Sequence, residues 1–169
     1  IAEETPEAPA FLHGDRVLSF AELVDSAKRA AQGLADLGVG PGDRVALWLP
    51  NVPAYPILLF ACARLGAIAV AVNTRYRAVE VADIVGRSGT KVLVCAPGFR
   101  SIDFLAILAD IDPTALDRLA ALVTVGEEPT SVPPAIERLR RIRFERLLSR
   151  PRLGANHARA SAPCNIFTT

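Results

Sequence analysis

Residues 55–94, YPILLFACARLGAIAVAVNTRYRAVEVADIVGRSGTKVLV, admit few folds. Helical spacing runs over 58–65 and ends at Gly66. Residues 67–72 are apolar and mostly small, which suits a buried strand, and Asn73-Thr74 breaks it. Helical spacing returns over 77–87, and 91–95 is a second buried strand. Two strands apolar on both faces, joined by a helix, need cover from above and below. That pattern belongs to a parallel sheet with helices on both faces. The fold class expected is therefore α/β with a mostly parallel sheet.

The rest of the chain extends this pattern. Residues 1–9 read as an exposed lead-in, and 10–13 with 16–18 form a short hairpin about Gly14-Asp15. Ser19 followed by Glu22 is a capping box, which starts a helix. Leu23, Ala27, Ala30, Leu34 and Leu37 give that helix its apolar stripe, and Gly38 stops it. Gly38, Gly40 and Gly42 do not make a dinucleotide loop. Asp43 stands where the third glycine belongs, and the run follows a helix and precedes a strand. Pro41-Gly42 is instead a turn feeding a strand over 44–49, with Trp48 in the core. Asn51 reads as the cap of the next helix, with Pro53 in its first turn. A helix over 99–110, ended by Asp112-Pro113, and strands over 119–125 and 163–169 complete the count.

The whole of 1–169 reads as one α/β domain, in which 126–162 is a loop-rich, arginine-rich connection. Residues 137–152 hold Arg138, Arg140, Arg141, Arg143, Arg146, Arg150 and Arg152, with Arg159 beyond. Phe144, Leu147 and Leu148 give a short helix one apolar edge. Two readings of the arginines stay open: a patch for membrane, nucleic acid or nucleotide phosphates, or a solvated face partly balanced by Glu137 and Glu145.

A formal charge of +1 argues neither for nor against nucleic acid, no nucleic-acid partner is expected, and no apolar run is long enough to span a bilayer. The acidic, Pro-containing start is unlike a signal peptide. Cys62, Cys95 and Cys164 are odd in number, widely spaced and set among apolar residues. They read as buried free thiols in a reducing compartment, the cytoplasm. No CxxC and no His pair at metal spacing is present, so no metal site is expected. His13 and His157 have no acid or nucleophile beside them in sequence and read as surface residues. Ser19 reads as a cap, not a nucleophile. Met is absent even at position 1, so the numbering is expected to begin inside a longer chain.

Several stretches resemble the N-terminal part of the adenylate-forming enzymes, in particular AMP-forming acyl-CoA synthetases. They are LSFAEL at 18–23, GVGPGDRVALWLPN at 38–51, ARLGAIAVAVNTRYRAVEVADIVGRSGTKVLV at 63–94, FERLLSRP at 144–151 and APCNIFTT at 162–169. Their order and spacing follow the family over nearly the whole chain. The resemblance implies a truncated piece of an ATP-dependent ligase. Such an enzyme joins a fatty or aromatic carboxylic acid to AMP and passes the acyl group to CoA, a reaction of fatty acid metabolism among others. ATP, Mg2+ and CoA serve the full-length enzyme, and none is expected to bind tightly to this piece.

The family's phosphate loop reads T-S-G-T-T-G-x-P-K, and Thr169 matches its first residue. Asn73, Thr74 and Arg75, together with Arg100, match positions near the CoA nucleotide in some members. No catalytic or metal residue can be carried over, so these residues alone are expected to adenylate nothing. The competing readings for Asn73–Arg75 are structural: helix caps for the first two and an ion pair for the arginine. The competing reading for the chain is a non-catalytic α/β module that binds a partner protein or a second copy of itself. An oxidoreductase with a dinucleotide fold is disfavoured by the missing glycine fingerprint.

Overall fold

The computed structural model of the chain describes residues 2–126 and 133–168. A hairpin of β1 (Pro9–His13) and β2 (Arg16–Ser19) forms a small antiparallel sheet of its own. Helix α1 (Phe20–Asp36) follows directly. Ser19 caps it: its Oγ accepts from the Glu22 amide at 3.2 Å, and the Glu22 carboxylate accepts from the Ser19 amide at 2.9 Å. The lead-in is largely exposed but not free. The Ala8 and Pro6 carbonyls accept from the Phe20 and Ala21 amides, two of the N–H groups that a helix start leaves unpaired.

Six strands build the main sheet: β3 (Arg44–Trp48), β4 (Ile68–Ala71), β5 (Val92–Cys95), β6 (Ala121–Thr124), β7 (Arg140–Arg143) and β8 (Asn165–Phe167). All neighbours run parallel, in the order β7-β6-β5-β3-β4-β8. The connecting helices are α2 (Ala54–Leu65), α3 (Ala78–Ser88), α4 (Phe104–Ala109) and α5 (Phe144–Leu148). Strand alternation divides the core in two. Val45 and Leu47 of β3 face a layer holding Leu34, Leu58, Phe144 and Leu147, from α1, α2 and α5. Ala46 and Trp48 face the other layer, with Val81, Val85, Phe104 and Leu108 from α3 and α4. The expected α/β fold, with a parallel sheet covered on both faces, is what the chain forms.

Gly66 closes α2 in the left-handed region at φ 70°, where a side chain would be strained. Gly33 serves a different need. A Cβ there would lie 2.7–2.9 Å from Leu147, so only glycine lets α1 and α5 approach this closely.

Four local expectations are corrected. Asn51 does not cap α2; Pro53 occupies the N-cap and makes no side-chain bond. The helix expected over 99–110 is broken. Arg100 and Ser101 take positive φ (51° and 59°) in a 3-10 turn. The Asp103 carboxylate then caps α4 by accepting from the Leu105 and Ala106 amides, and so offers a later and better start. Strand β7 was unforeseen because its sequence is RRIR; only Ile142 is half-buried, and charged residues of this kind are common on edge strands. Cys164 is exposed, whereas Cys62 and Cys95 are buried. Burial pushes both of those thiols up to about 12.

The arginine-rich stretch is largely a set of staples. Arg150 pairs with Asp36 at 3.2 Å, and Arg152 pairs with Asp25. Arg140 donates to the Asp36 carbonyl at 3.1 Å. Arg138 donates to the Leu119 and Leu116 carbonyls at 2.9 and 2.5 Å. These contacts fasten the stretch to α1 and to the loop before β6, a role that neither the patch nor the solvated-face reading included.

Candidate functional site

The chain builds β3, then β4 on one side of it, then returns to the other side to build β5. Helices α2 and α3 consequently lie on opposite faces, and the carboxyl ends of these strands part between them. In open parallel sheets this switch point is where ligands bind. A cleft of about 670 Å³ lies there. Asn51 and Tyr55 reach it after β3; Asn73, Thr74 and Arg75 after β4; Phe99 and Arg100 after β5. Phe167 and Thr168 reach it from the end of β8, and His13 from the tip of the hairpin.

The loop after β4 is fixed from below. The Trp48 indole N–H donates to the Asn73 carbonyl at 3.0 Å, and the Tyr76 amide donates to the same oxygen at 3.0 Å. The Asn73 side chain accepts from the Arg75 amide at 2.9 Å, an Asx turn. The Arg77 guanidinium donates to the Thr74, Arg75 and Tyr76 carbonyls at 3.4, 2.9 and 3.1 Å. Neither Asn73 nor Thr74 caps α3; Arg77 occupies the N-cap, and its amide is held by the Glu80 carboxylate at 3.0 Å. The Arg75 guanidinium makes no ion pair among the described residues, so neither the expected helix caps nor the expected ion pair forms, and the Asn73 side chain instead closes its own turn.

Arg100 sits over the Phe99 ring, with its guanidinium carbon 5.3 Å from the centroid. Its backbone at φ 51°, ψ 36° is a region that non-glycine residues seldom occupy without a reason. Thr168 Oγ1 donates to the Ala71 carbonyl at 2.7 Å, which joins the end of β8 to the end of β4. Thr169 lies outside the described residues.

Charge is one-sided here. Arg75 and Arg100 line the cleft, as does His13, and no Asp or Glu among the described residues lines it. Burial pushes the Tyr55 hydroxyl up, so it stays a neutral donor. Arginines without counter-ions among the described lining residues, together with amide and hydroxyl donors, suit a phosphorylated anion. Among the described residues, no group of three or more His, Cys, Asp or Glu side chains could hold a metal ion. Nor is any helix of the described residues long and apolar enough to cross a membrane.

The four sequence-predicted residues Asn73, Thr74, Arg75 and Arg100 thus share one cleft. Asn51, Tyr55, Phe99 and Thr168 were missed. Their signal was available, since each follows the carboxyl end of a strand, though Asn51 and Phe99 were assigned to helices. His13 had none, because the hairpin lies far from the switch point in sequence.

Residues 1–154 match the family described as AMP-binding enzyme. The chain is 38% identical over 128 residues to a 3-[(3aS,4S,7aS)-7a-methyl-1,5-dioxo-octahydro-1H-inden-4-yl]propanoyl:CoA ligase of Mycobacterium tuberculosis, a match covering 76% of this chain and 25% of that protein. It is 44% identical over 96 residues to a feruloyl-CoA synthase of an Amycolatopsis species, covering 57% of this chain and 20% of that one. The chain thus spans a quarter or less of these curated relatives. Its fold superposes on the crystal structure of the anthranilate CoA ligase AuaEII in complex with anthranoyl-AMP with a TM-score of 0.80, at 24% identity, covering 96% of this chain and 29% of that one.

Proposed function

The chain belongs to the AMP-binding enzyme family, and from that premise we propose that it is the N-terminal domain of an AMP-forming acyl-CoA ligase. The whole enzyme activates a fatty or aromatic carboxylic acid as acyl-AMP, consuming ATP with Mg2+, and passes the acyl group to the CoA thiol. The work of the first step is charge stabilisation around the triphosphate, and that of the second is delivery of CoA to the adenylate. Residues 1–169 form one domain in this reading, and Thr169 opens the nucleotide loop. The compartment is the cytoplasm, consistent with Cys62, Cys95 and Cys164 all remaining free.

One observation supports the assignment of roles: the cleft at the switch point gathers Asn73, Thr74, Arg75 and Arg100, and among the described residues no Asp or Glu lines it. Arg75 and Arg100 contact the phosphates of the CoA nucleotide, with Asn73 and Thr74 shaping the loop that presents Arg75. The chemistry itself needs residues beyond these, so the 169-residue chain carries out no adenylation alone. Pyrophosphate release with ATP, magnesium and a panel of fatty and aromatic acids tests this. No turnover is expected from the chain alone, and robust turnover contradicts the proposal. Loss of CoA binding in Arg75→Ala and Arg100→Ala variants tests the cleft assignment, and unchanged binding in both removes it.

A second reading, a partner-binding module, draws on one surface. Val79 (81% exposed), Ile166 and Phe167 (77% exposed) line a groove between α3 and β8, and β8 is paired on one side only among the described strands. In the leading proposal the remainder of the ligase covers this groove. Light scattering separates the two: concentration-dependent association supports the module reading, and a monomer at all concentrations argues against it.

A further inference from the structure

We infer that His13 is a third phosphate-contacting residue of the cleft, donating a ring N–H to the CoA nucleotide beside Arg75 and Arg100; this rests on the CoA reading proposed above. The hairpin that carries His13 is not part of the main sheet. Its alternation places the residue on one face with Phe11. Phe11 is half-buried against the core built by α1 and α2, and Leu12 points out, 67% exposed. Register is regular from Phe11 to His13, so His13 falls on the same face as Phe11 and is itself exposed. It ends β1 and lines the cleft.

Three further observations point to a ligand. The His13 ring makes no hydrogen bond or ion pair with another described residue. Arg75 and Arg100 line the same cleft, and among the described residues no Asp or Glu lines it to attract an imidazole for structural reasons. Imidazole presents an N–H in either tautomer and two when charged, so it can donate to an anion in every protonation state. A phosphomonoester carries close to two negative charges near neutral pH. The 3′-phosphate of CoA is therefore the group that gains most from a third donor. ATP shares the adenosine phosphate chemistry without the monoester, and dephospho-CoA lacks only the monoester.

Calorimetric titration of the chain with CoA, dephospho-CoA and ATP tests the inference, at ligand concentrations high enough to reach the weak binding expected of this chain alone, using the wild type and the His13→Ala, His13→Gln and Arg75→Ala variants. His13 is exposed, so its replacement leaves the core intact. His13→Ala is expected to weaken CoA binding about tenfold, as loss of a hydrogen bond to a charged group does. Dephospho-CoA should change by less than about twofold on the same scale. His13→Gln, which keeps a donor, should restore most of the preference for CoA over dephospho-CoA. An unchanged preference in His13→Ala, with loss in Arg75→Ala, overturns the inference and leaves the CoA reading standing. No wild-type binding, or no effect of Arg75→Ala, overturns both. A fall in ATP affinity with CoA unaffected reassigns the cleft and also overturns the inference.

Discussion

The indole N–H of Trp48, fully buried at the end of β3, donates to the main-chain carbonyl of Asn73 at 3.0 Å. One core side chain thereby sets the height of the loop that presents Thr74 and Arg75 to the cleft. Trp48 is itself held by Phe104, with ring centroids 4.5 Å apart in an edge-to-face contact.

Trp48→Phe removes the donor and part of the ring. We expect a loss of about 1–3 kcal/mol in urea denaturation, from the bond and the residual cavity together. Hydrogen exchange at the Arg75 and Tyr76 amides should quicken by more than the global change accounts for. Uniform exchange would mean that the indole does not hold the loop.

Gly33→Ala tests the contact between α1 and α5. The new methyl carbon would meet the Leu147 backbone at 2.8 Å, which the end of a flexible side chain cannot relieve. Although alanine is the better helix former, we expect destabilisation of about 1–3 kcal/mol, as for other overpacked sites. A stabilised variant would show that α5 is free to move away.

Acid should loosen the clasp between α1 and the arginine stretch. A hydrogen bond from Arg29 holds the Asp25 carboxyl below the usual range; partial burial opposes this, and Arg152 adds to the lowering. A depressed folded-state pKa contributes stability above the unfolded value, about 3.9, and that contribution is lost as pH falls through the lower folded value. Asp25→Asn should therefore have a flatter stability profile below about pH 4 than the wild type. The site is partly exposed, so salt should shrink the difference. Parallel profiles would contradict the assignment.

Thiol labelling should divide the three cysteines. Cys164 is exposed, while Cys62 and Cys95 are buried, with thiols pushed up to about 12. Intact mass should show one label under native conditions and three in denaturant. Native labelling of Cys62 or Cys95 would require an opening of the core.

The sheet was legible because β3, β4, β5 and β6 are apolar on both faces, a pattern that burial alone imposes. The start of α1 was legible because Ser19 and Glu22 are local. What escaped depends on distant partners. β7 is a strand because β6 offers its edge, not because RRIR favours extension. The break at Arg100 and Ser101 reflects competition from Asp103. The cleft residues after β4 were legible through family resemblance, but the Trp48 and Arg77 bonds that fix their loop were not, because those partners act through main-chain carbonyls. His13 joins them only through the folding of the hairpin onto the body.

The proposed role of the cleft rests on where CoA binds. Amide chemical-shift mapping of the labelled chain during a CoA titration measures this directly. The account predicts that the shifting resonances gather at His13, Asn73–Arg75, Phe99–Ile102 and Thr168. Shifts confined to the outer faces of α1 and α2, or no shifts at saturating CoA, would contradict it.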